Sequence, residues 1–529
     1  MRSLHHLVTL VVLLAASVST AVKSSDDLRG SGITQLTYTK QAVFGATVSS
    51  WCGCTLLSML AFREVYWPGS NTYQVESTTK YWSTTTWNLP QCVFVPQTAK
   101  SVGVGIWAAR LCSTDFAIRG GGHMPVPGFT GTKTGILFGL SALNTLSLSS
   151  DKTSVFVGPG RNWGEVYSFL APHGQYALGG RIQQVGVPGL LLGGGLNFFS
   201  NRYGFAMDNI LSYECVLANG HVVIVTADNK YRDLFWALHG GSSNFCIVTK
   251  FELKTYFIPK MWGGLGTFVG QPNFDLFYSF ITNFTNSAYV DKGAGLVSLI
   301  NFAPGQPDLG IHCAGHEGDD PDPAIFNEFK KLAFNDDSIF GMMTDTAELP
   351  KILGRVIVGQ RHVFRVQSSI ASVDALKIVH ETFYGLTYSK LVQNVPSVTS
   401  CAVAIQGVPV TLLEKGASNG VGGNTFGINQ TQNYFWYNIY CTWADAVDDS
   451  AINAWVKEVG ADLSAKFRQA GLTGNGGREF LYLNDAQGDQ DCFAGYGPNE
   501  LTMMKKVRDK YDPRGIFGVN GLSKGGFKF

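Results

Sequence analysis

Short apolar runs joined by tight turns, other runs fed by capped helices, and the lack of a dinucleotide fingerprint together predict an α+β fold. The turn signal is Asn219-Gly220, set between two strand-like runs in the manner of an antiparallel hairpin. The helix-to-strand signal recurs around Thr98 and Asn162, so helices and strands alternate as well as segregate. No Gly-x-Gly-x-x-Gly stands between a strand and a helix, which disfavours a doubly wound parallel sheet. With 529 residues, 45% apolar and 15% charged, the chain has the composition of a well-buried globular protein, and two domains are the default. A formal charge of +1 gives no cationic footprint for a nucleic-acid backbone, so nucleic acid is not an expected partner.

The elements follow in order. Arg2 precedes an apolar run from Leu7 to Ala16, with small residues Ser17, Ser19 and Ala21 behind it. That run is too short to span a bilayer and suits a signal peptide, residues 1–21, cleaved near Ala21. Every later apolar run is broken by charge, Gly or Pro, so a secreted chain without a stable membrane anchor is expected. Thr98 can cap a helix carrying Val102, Ile106, Trp107 and Ala109, and the strand Phe116 to Ile118 follows it. Val155 to Val157 reads as a strand, and Asn162 with Glu165 forms a capping box for a helix closed by Gly174. Ile210 to Ala218 and His221 to Ala227 flank Asn219-Gly220, whose positive φ angles suit a type I′ turn.

Further on, three helices each show one apolar stripe: Ile325, Phe326, Phe329 and Leu332; Leu376, Val379 and Phe383; and Ile452, Trp455, Val456, Val459, Leu463 and Phe467. Such helices cover one face of a sheet and leave the other free. Along the strand Tyr434 to Thr442, alternation puts Tyr434, Trp436, Asn438 and Tyr440 on one side, a face suited to bind substrate.

The chemistry-bearing motifs are glycine clusters. Arg119-Gly-Gly-Gly-His123 ends a strand with three residues that lack a Cβ and then a histidine, so bare backbone N–H groups can close on an anion beside one imidazole. Gly179-Gly-Arg-Ile-Gln-Gln-Val-Gly-Val-Pro-Gly-Leu-Leu-Leu-Gly-Gly-Gly195 supplies a second cluster, followed by Asn197 to Asn209. With Trp236-Ala-Leu-His-Gly-Gly-Ser-Ser-Asn-Phe-Cys-Ile-Val-Thr249 and Lys510-Tyr-Asp-Pro513, these segments resemble the berberine bridge enzyme-like flavin oxidases of the vanillyl-alcohol oxidase superfamily, in their secreted fungal branch. The resemblance runs from about Cys52 to Phe529 and is densest from Pro90 to Tyr256.

The resemblance implies a two-part PCMH-type FAD-binding domain, residues 86–256 completed by 478–529, and a substrate domain, 257–477, whose antiparallel sheet is covered by helices on one face; residues 22–85 form an N-terminal segment. It places Arg119, Gly120, Gly121, Gly122, His123, Gly186, Gly189, Gly193, Gly194, Asp208, Asn209, Ile247 and Asn484 at the cofactor. His123 occupies the position that bonds the flavin 8α-methyl. Bicovalent members carry cysteine in Gly-x-Cys-x-x-Val-Gly, but Gly180-Arg-Ile-Gln-Gln-Val-Gly186 carries Ile182, so FAD attached through His123 only is expected. Val185 lies where a bulky residue blocks dioxygen, and its modest side chain resembles the oxidases.

The implied reaction is hydride transfer from a small organic substrate (an alcohol, amine, sugar or specialised-metabolite intermediate) to the flavin, then reoxidation by O₂ to H₂O₂. An oxidative cyclase, a dehydrogenase using another acceptor, and a binding protein without turnover are the alternatives. Relatives have Tyr-x-Asn-Tyr where this chain has Tyr482-Leu-Asn-Asp485, so Asp485 stands where a tyrosine faces substrate. Asp485 is either a base with a raised pKa or an acceptor ordering the loop through Gln487 and Asp489, and Tyr482 shares the candidate catalytic role. Gly135-Ile-Leu-Phe-Gly-Leu140 lacks the family's acidic residue, and Cys246 replaces a usual glycine.

Cys52 and Cys54 are too close to be comfortable partners, so one of them is expected to bridge to Cys92, a staple the resemblance also suggests; Cys215, Cys246 and Cys441 are equally readable as buried free thiols. Sequons at Asn283 and Asn429 fit secretion. His312 and His316 stand four apart beside Glu317, but Gly315 and Gly318-Asp-Asp-Pro-Asp-Pro323 indicate a loop, and no metal is expected. His173 and His239 end helices, where an imidazole can favour the dipole. The chain is expected to be a monomer.

Overall fold

The computed structural model describes residues 48–354, 359–392, 394–418 and 422–529; the signal peptide expected over residues 1–21 and its cleavage site lie outside the described residues. Among the described residues, three sheets of five or more strands carry the architecture, together with one two-stranded ribbon. The fold is α+β, as the mixture of hairpins and crossovers predicts.

The first sheet orders its strands Val65–Tyr66, Cys92–Phe94, Ile136–Gly139, Phe116–Arg119 and Ser523–Lys524. Its last four strands run parallel, which requires crossovers, and the helix Ala99–Leu111 is one of them. Thr98 caps that helix by accepting from Ser101 N at 3.1 Å. Val102, Ile106 and Ala109 are buried, whereas Trp107 is 41% exposed. Five residues beyond Val102 the helix has turned about 140° from the buried stripe, so Trp107 does not belong to it. The C-terminal strand pairs with the strand that leads into the glycine loop, so the chain's end supports its most informative motif.

The second sheet is antiparallel, in the order Leu146–Leu148, Ser154–Val157, Cys246–Lys254, Ile210–Leu217 and Val222–Thr226. The capping box forms with both bonds at 3.0 Å, and Gly174 ends the following turn at φ 64°. At the predicted hairpin only Gly220 has positive φ. Gly220 N donates to Leu217 O and Leu217 N to His221 O, so the connection is a three-residue loop with glycine at the bulge and not the type I′ turn expected.

The third sheet has seven antiparallel strands in the order Ile339–Met342, Met261–Val269, Leu309–Glu317, Ala294–Phe302, Val398–Val408, Tyr434–Trp443 and Arg361–Ile370. Helices Gln271–Asn286, Val373–Lys390 and Asp449–Gln469 pack their apolar stripes on one face. Along Tyr434–Trp443 the alternation is complete: Phe435, Tyr437, Ile439 and Cys441 join the helices, while Tyr434 and Trp436 join the core on the other side.

Several expectations are corrected. The helix predicted through Ile325 and Leu332 is two single turns, Ala324–Phe326 and Phe329–Lys331, although Phe326, Phe329 and Leu332 are buried as its stripe required. Pro321 and Pro323 restrict the preceding backbone, and hydrophobic spacing alone does not guarantee a continuous helix. The helix Gln271–Asn286, which covers the sheet in its place, was not foreseen. His312 and His316 lie on a strand and not in a loop, where i and i+4 are about 13 Å apart, no chelating distance. His239 is buried with its pKa pushed down to about 4, so it is neutral and bonds Phe235 O in place of a charge–dipole contact.

Cys54 pairs with Cys92, as one of the two close cysteines had to. Cys52 pairs with Cys112, and Cys441 is bridged to Cys401 across neighbouring strands, so the free-thiol alternative fails for Cys441. Cys215, Cys246, Cys313 and Cys492 are free and buried.

Candidate active site

Between the free face of the seven-stranded sheet and the two smaller sheets lies a cavity of 520 Å³. The glycine loop, the 180–190 segment, the sheet face and the Tyr482–Asp485 turn meet there.

The loop is set by what stands behind it. Arg119 is fully buried, pairs with Glu76, and donates through Nη1 to Gly120 O at 2.8 Å. Glu76 also accepts from Ser141 Oγ at 2.7 Å. This ion pair anchors the first carbonyl of the loop. A Cβ on Gly121 would lie 2.3 Å from Gly186 Cα, and one on Gly186 would lie 2.4 Å from Gly121 Cα. The two glycine clusters therefore touch backbone to backbone. Gly122 turns the chain at φ 68° and delivers the next residue, His123, into the cavity wall.

The His123 imidazole stacks on Trp82 at 4.4 Å and 5° between planes, and Trp82 stacks on His362 at 3.7 Å. Burial pushes the His123 pKa down to about 4, so the ring is neutral near pH 7 and keeps a lone pair. Its Nε2 is buried without a hydrogen-bond partner among the described residues. Buried polar atoms are rarely left unpaired, and such an atom beside a bare-backbone cradle is what a bound group with its own contacts explains.

The opposite wall is the turn Leu483–Asp485. Tyr482 accepts from Gly195 N at 2.8 Å and from Asn484 Nδ2 at 3.0 Å, and Asn484 Nδ2 also donates to Leu190 O at 3.1 Å. Burial drives the Tyr482 pKa well up, so its hydroxyl stays protonated, and its ring stacks on Trp436 at 4.8 Å. Asp485 accepts from Gln406 Nε2 at 2.6 Å and Asn438 Nδ2 at 3.1 Å. Those partners come from the sheet face, whereas the loop-ordering alternative required Gln487 and Asp489. Gln487 N instead donates to Gln490, and Asp489 pairs with Arg365 and Lys457. Burial pushes the Asp485 pKa up to about 6, against the downward pull of Gln406, Arg181 and Asn438.

Of the residues placed at the site by sequence, Gly120, Gly121, Gly122, His123, Gly186, Gly189, Ile247, Tyr482, Asn484 and Asp485 line the cavity. Arg119 lies behind the loop. Gly193 and Gly194 pack under Asn484 and Tyr482, where a Cβ would meet those side chains at 2.1 and 3.0 Å. Asp208 caps its turn by accepting from Phe205 N at 2.9 Å, and Asn209 donates to Tyr203 O and Phe205 O. Val185, Ile182 and Cys246 reach the cavity. Cys246 has no positive φ, so the side chain that stands where the resemblance implies glycine is accommodated without backbone strain. Glu76, Trp82 and Gln406 were missed; each is far in sequence from the motif it serves, and no local pattern announces it.

The FAD binding domain family matches residues 90–226. The FAD-dependent monooxygenase prx3 of Penicillium roqueforti is 32% identical over 503 residues, covering 90% of this chain and 93% of that protein. The BBE-like 1 protein of Physcomitrella patens superposes with a TM-score of 0.71 at 16% identity, covering 89% of this chain and 99% of the other. The chain belongs to the FAD-linked oxidoreductases, with the fold of the berberine bridge enzyme-like proteins. Glucooligosaccharide oxidase from Acremonium strictum shares the fold of this FAD-linked oxidoreductase at a TM-score of 0.70 and 16% identity, covering 90% of this chain and 99% of that one. A second structure of the same oxidase is described with a 6-S-cysteinyl, 8α-N1-histidyl FAD. In this FAD-linked oxidoreductase the apolar Ile182 lines the cavity in the Gly180–Gly186 motif.

Proposed function

We propose that this enzyme is a secreted FAD-dependent oxidase, holding FAD covalently through His123 alone, that oxidises a small organic substrate and uses O₂ as electron acceptor, with release of H₂O₂. Its flavin half comprises residues 86–256 and 478–529 and its substrate half 257–477. The observation that carries the reading is the convergence of His123 and Asp485, from opposite ends of the chain, on one cavity between the cofactor sheets and the free sheet face.

FAD supplies two-electron redox chemistry when bound. The chain's own residues do the rest. The touching backbones at Gly121 and Gly186 leave no side chain between the two loops, so their amides can approach a diphosphate. His123 presents a neutral, unpartnered nitrogen for attachment. Ile182 offers no thiol for a second bond, and Val185 leaves room near the substrate end. Asp485, with a pKa near 6 and both oxygens held by amide donors, is ionised at pH 7 and can take a proton from a substrate hydroxyl or amine. Tyr482 stays protonated and positions the turn. The disulfides fit an oxidising compartment, and both sequon asparagines, Asn283 and Asn429, are exposed.

The decisive experiment denatures the purified protein and asks whether yellow colour stays with the chain. Retention in the wild type and loss in His123→Ala is expected; colour released from the wild type overturns the single attachment. Oxygen consumption matched by peroxide supports the oxidase. Oxygen consumed without peroxide and carried into product supports a monooxygenase, the activity in the name of the Penicillium relative.

A further inference from the structure

Resting on the reading of the cavity as a flavin and substrate site, we propose that Arg181 anchors the substrate, and that the substrate is an apolar molecule bearing a carboxylate.

Arg181 lines the cavity, beside the Ile182 that stands in place of a flavin-bonding cysteine. Its Nη2 donates to Gln406 Oε1, and the guanidinium lies over the Phe198 ring at 5.9 Å. Among the described residues no carboxylate comes within ion-pairing distance of it. The ionisable groups that act on it are Asp485, Tyr482, Cys313 and Tyr167. Burial pushes Tyr482, Cys313 and Tyr167 up, so all three stay neutral at pH 7. Asp485 is the remaining anion, and Gln406 stands between the two. That amide is oriented by both: its oxygen takes Arg181 and its nitrogen donates to Asp485 at 2.6 Å.

A guanidinium is always charged and offers five donors in a fork that matches a carboxylate. Arg181 is half-buried, and its one side-chain hydrogen bond goes to a neutral acceptor, so the fork keeps donors that a ligand carboxylate in the cavity would engage. The surrounding wall says what else the ligand carries. Leu265, Val297, Leu299 and Ile311 face the cavity from three neighbouring strands and offer no hydrogen bonds. A polyhydroxylated sugar would lose its water there without replacement, whereas an apolar skeleton would not. Asp485 and Arg181 then act on different groups of one ligand: the base on the atom that loses a proton, the guanidinium on the carboxylate.

The test uses octanoate and 1-octanol, equal in chain length and different in charge, titrated by calorimetry into the purified full-length protein. Octanoate is expected to bind the wild type at least tenfold tighter than 1-octanol. In Arg181→Met that preference disappears, with 1-octanol affinity kept within about twofold as the control for an intact cavity; Arg181→Lys keeps part of the preference, as a point charge without the fork would. Octanoate no tighter than 1-octanol in the wild type, or octanoate affinity unchanged in Arg181→Met, overturns the proposal. If Arg181 merely supported Asp485, its replacement would move the pH profile and leave the octanoate preference in place. Calorimetry does not depend on flavin, so a colourless preparation that still selects octanoate sinks the cofactor reading and not this one.

Discussion

Trp82 and His123 lie ring on ring, 4.4 Å apart and 5° from parallel. An aromatic pair of this kind holds an imidazole at a defined angle with about 0.5–1.5 kcal/mol beyond simple burial. Because the ring is otherwise unpartnered at Nε2, the indole is its main orienting surface. Trp82→Ala is expected to leave folding intact but to lower the fraction of flavin that survives acid precipitation with the chain. Trp82→Phe retains the stacking surface and most of the covalent fraction. Full covalent loading in Trp82→Ala would show that the indole has no orienting role.

The glycines separate into two kinds. A Cβ at Gly121 or Gly186 strikes backbone at 2.3 or 2.4 Å, so Gly121→Ala and Gly186→Ala are expected to cost about 1–3 kcal/mol, read as a lowered denaturation midpoint. A Cβ at Gly189 meets nothing within 4 Å, yet the residue lines the cavity. Gly189→Ala should therefore keep the wild-type midpoint and reduce flavin content. Equal midpoints for all three variants would contradict the close approach.

Asp485 sets the expected pH dependence. Its pKa is raised to about 6, mainly by burial, so the base is protonated and inactive below that pH and ionised above it. The rate of flavin reduction should rise with pH through about 6, and Asp485→Asn should remove that limb while slowing reduction by roughly 10²- to 10⁴-fold. The same shift bears on stability: a folded-state pKa above the unfolded value means stability falls as pH rises from about 4 to 6. A variant with an unchanged pH profile would exclude Asp485 as the base.

Glu76 and Arg119 pair in the core behind the glycine loop. Removing one partner of a buried pair leaves a charge without compensation, about 3–5 kcal/mol. Glu76→Ala is expected to destabilise the protein by that order in chemical denaturation. Combining it with Arg119→Met should recover much of the loss, since an apolar pair carries no buried charge. A double variant no better than Glu76→Ala would mean that the Arg119 bond to Gly120 O, and not the charge balance, dominates.

Much of this protein is local and therefore readable in order along the chain. Cap residues such as Thr98 and Asn162 satisfy backbone donors within three residues, and alternation along Tyr434–Trp443 follows from the pleat. The three glycines before His123 and the turn carrying Asp485 are local in the same sense. What the order of residues could not supply is which distant groups meet them. Asp485 is raised as a candidate by position, but Gln406 and Asn438, which orient it, arrive from strands brought over the cavity by the seven-stranded sheet. Glu76 reaches Arg119, and Trp82 reaches His123, across stretches that carry no shared periodicity. The bridges Cys52–Cys112 and Cys401–Cys441 likewise depend on elements packing side by side. Turn chemistry, capping and amphipathic period act over a few residues, and so the sequence alone determined the caps, the strand alternation and the glycine loop that ends at His123, but not the helix Gln271–Asn286. Partner choice, burial and the perturbed ionisation of His123 and Asp485 arise when separate elements exclude water together, which only the tertiary structure decided.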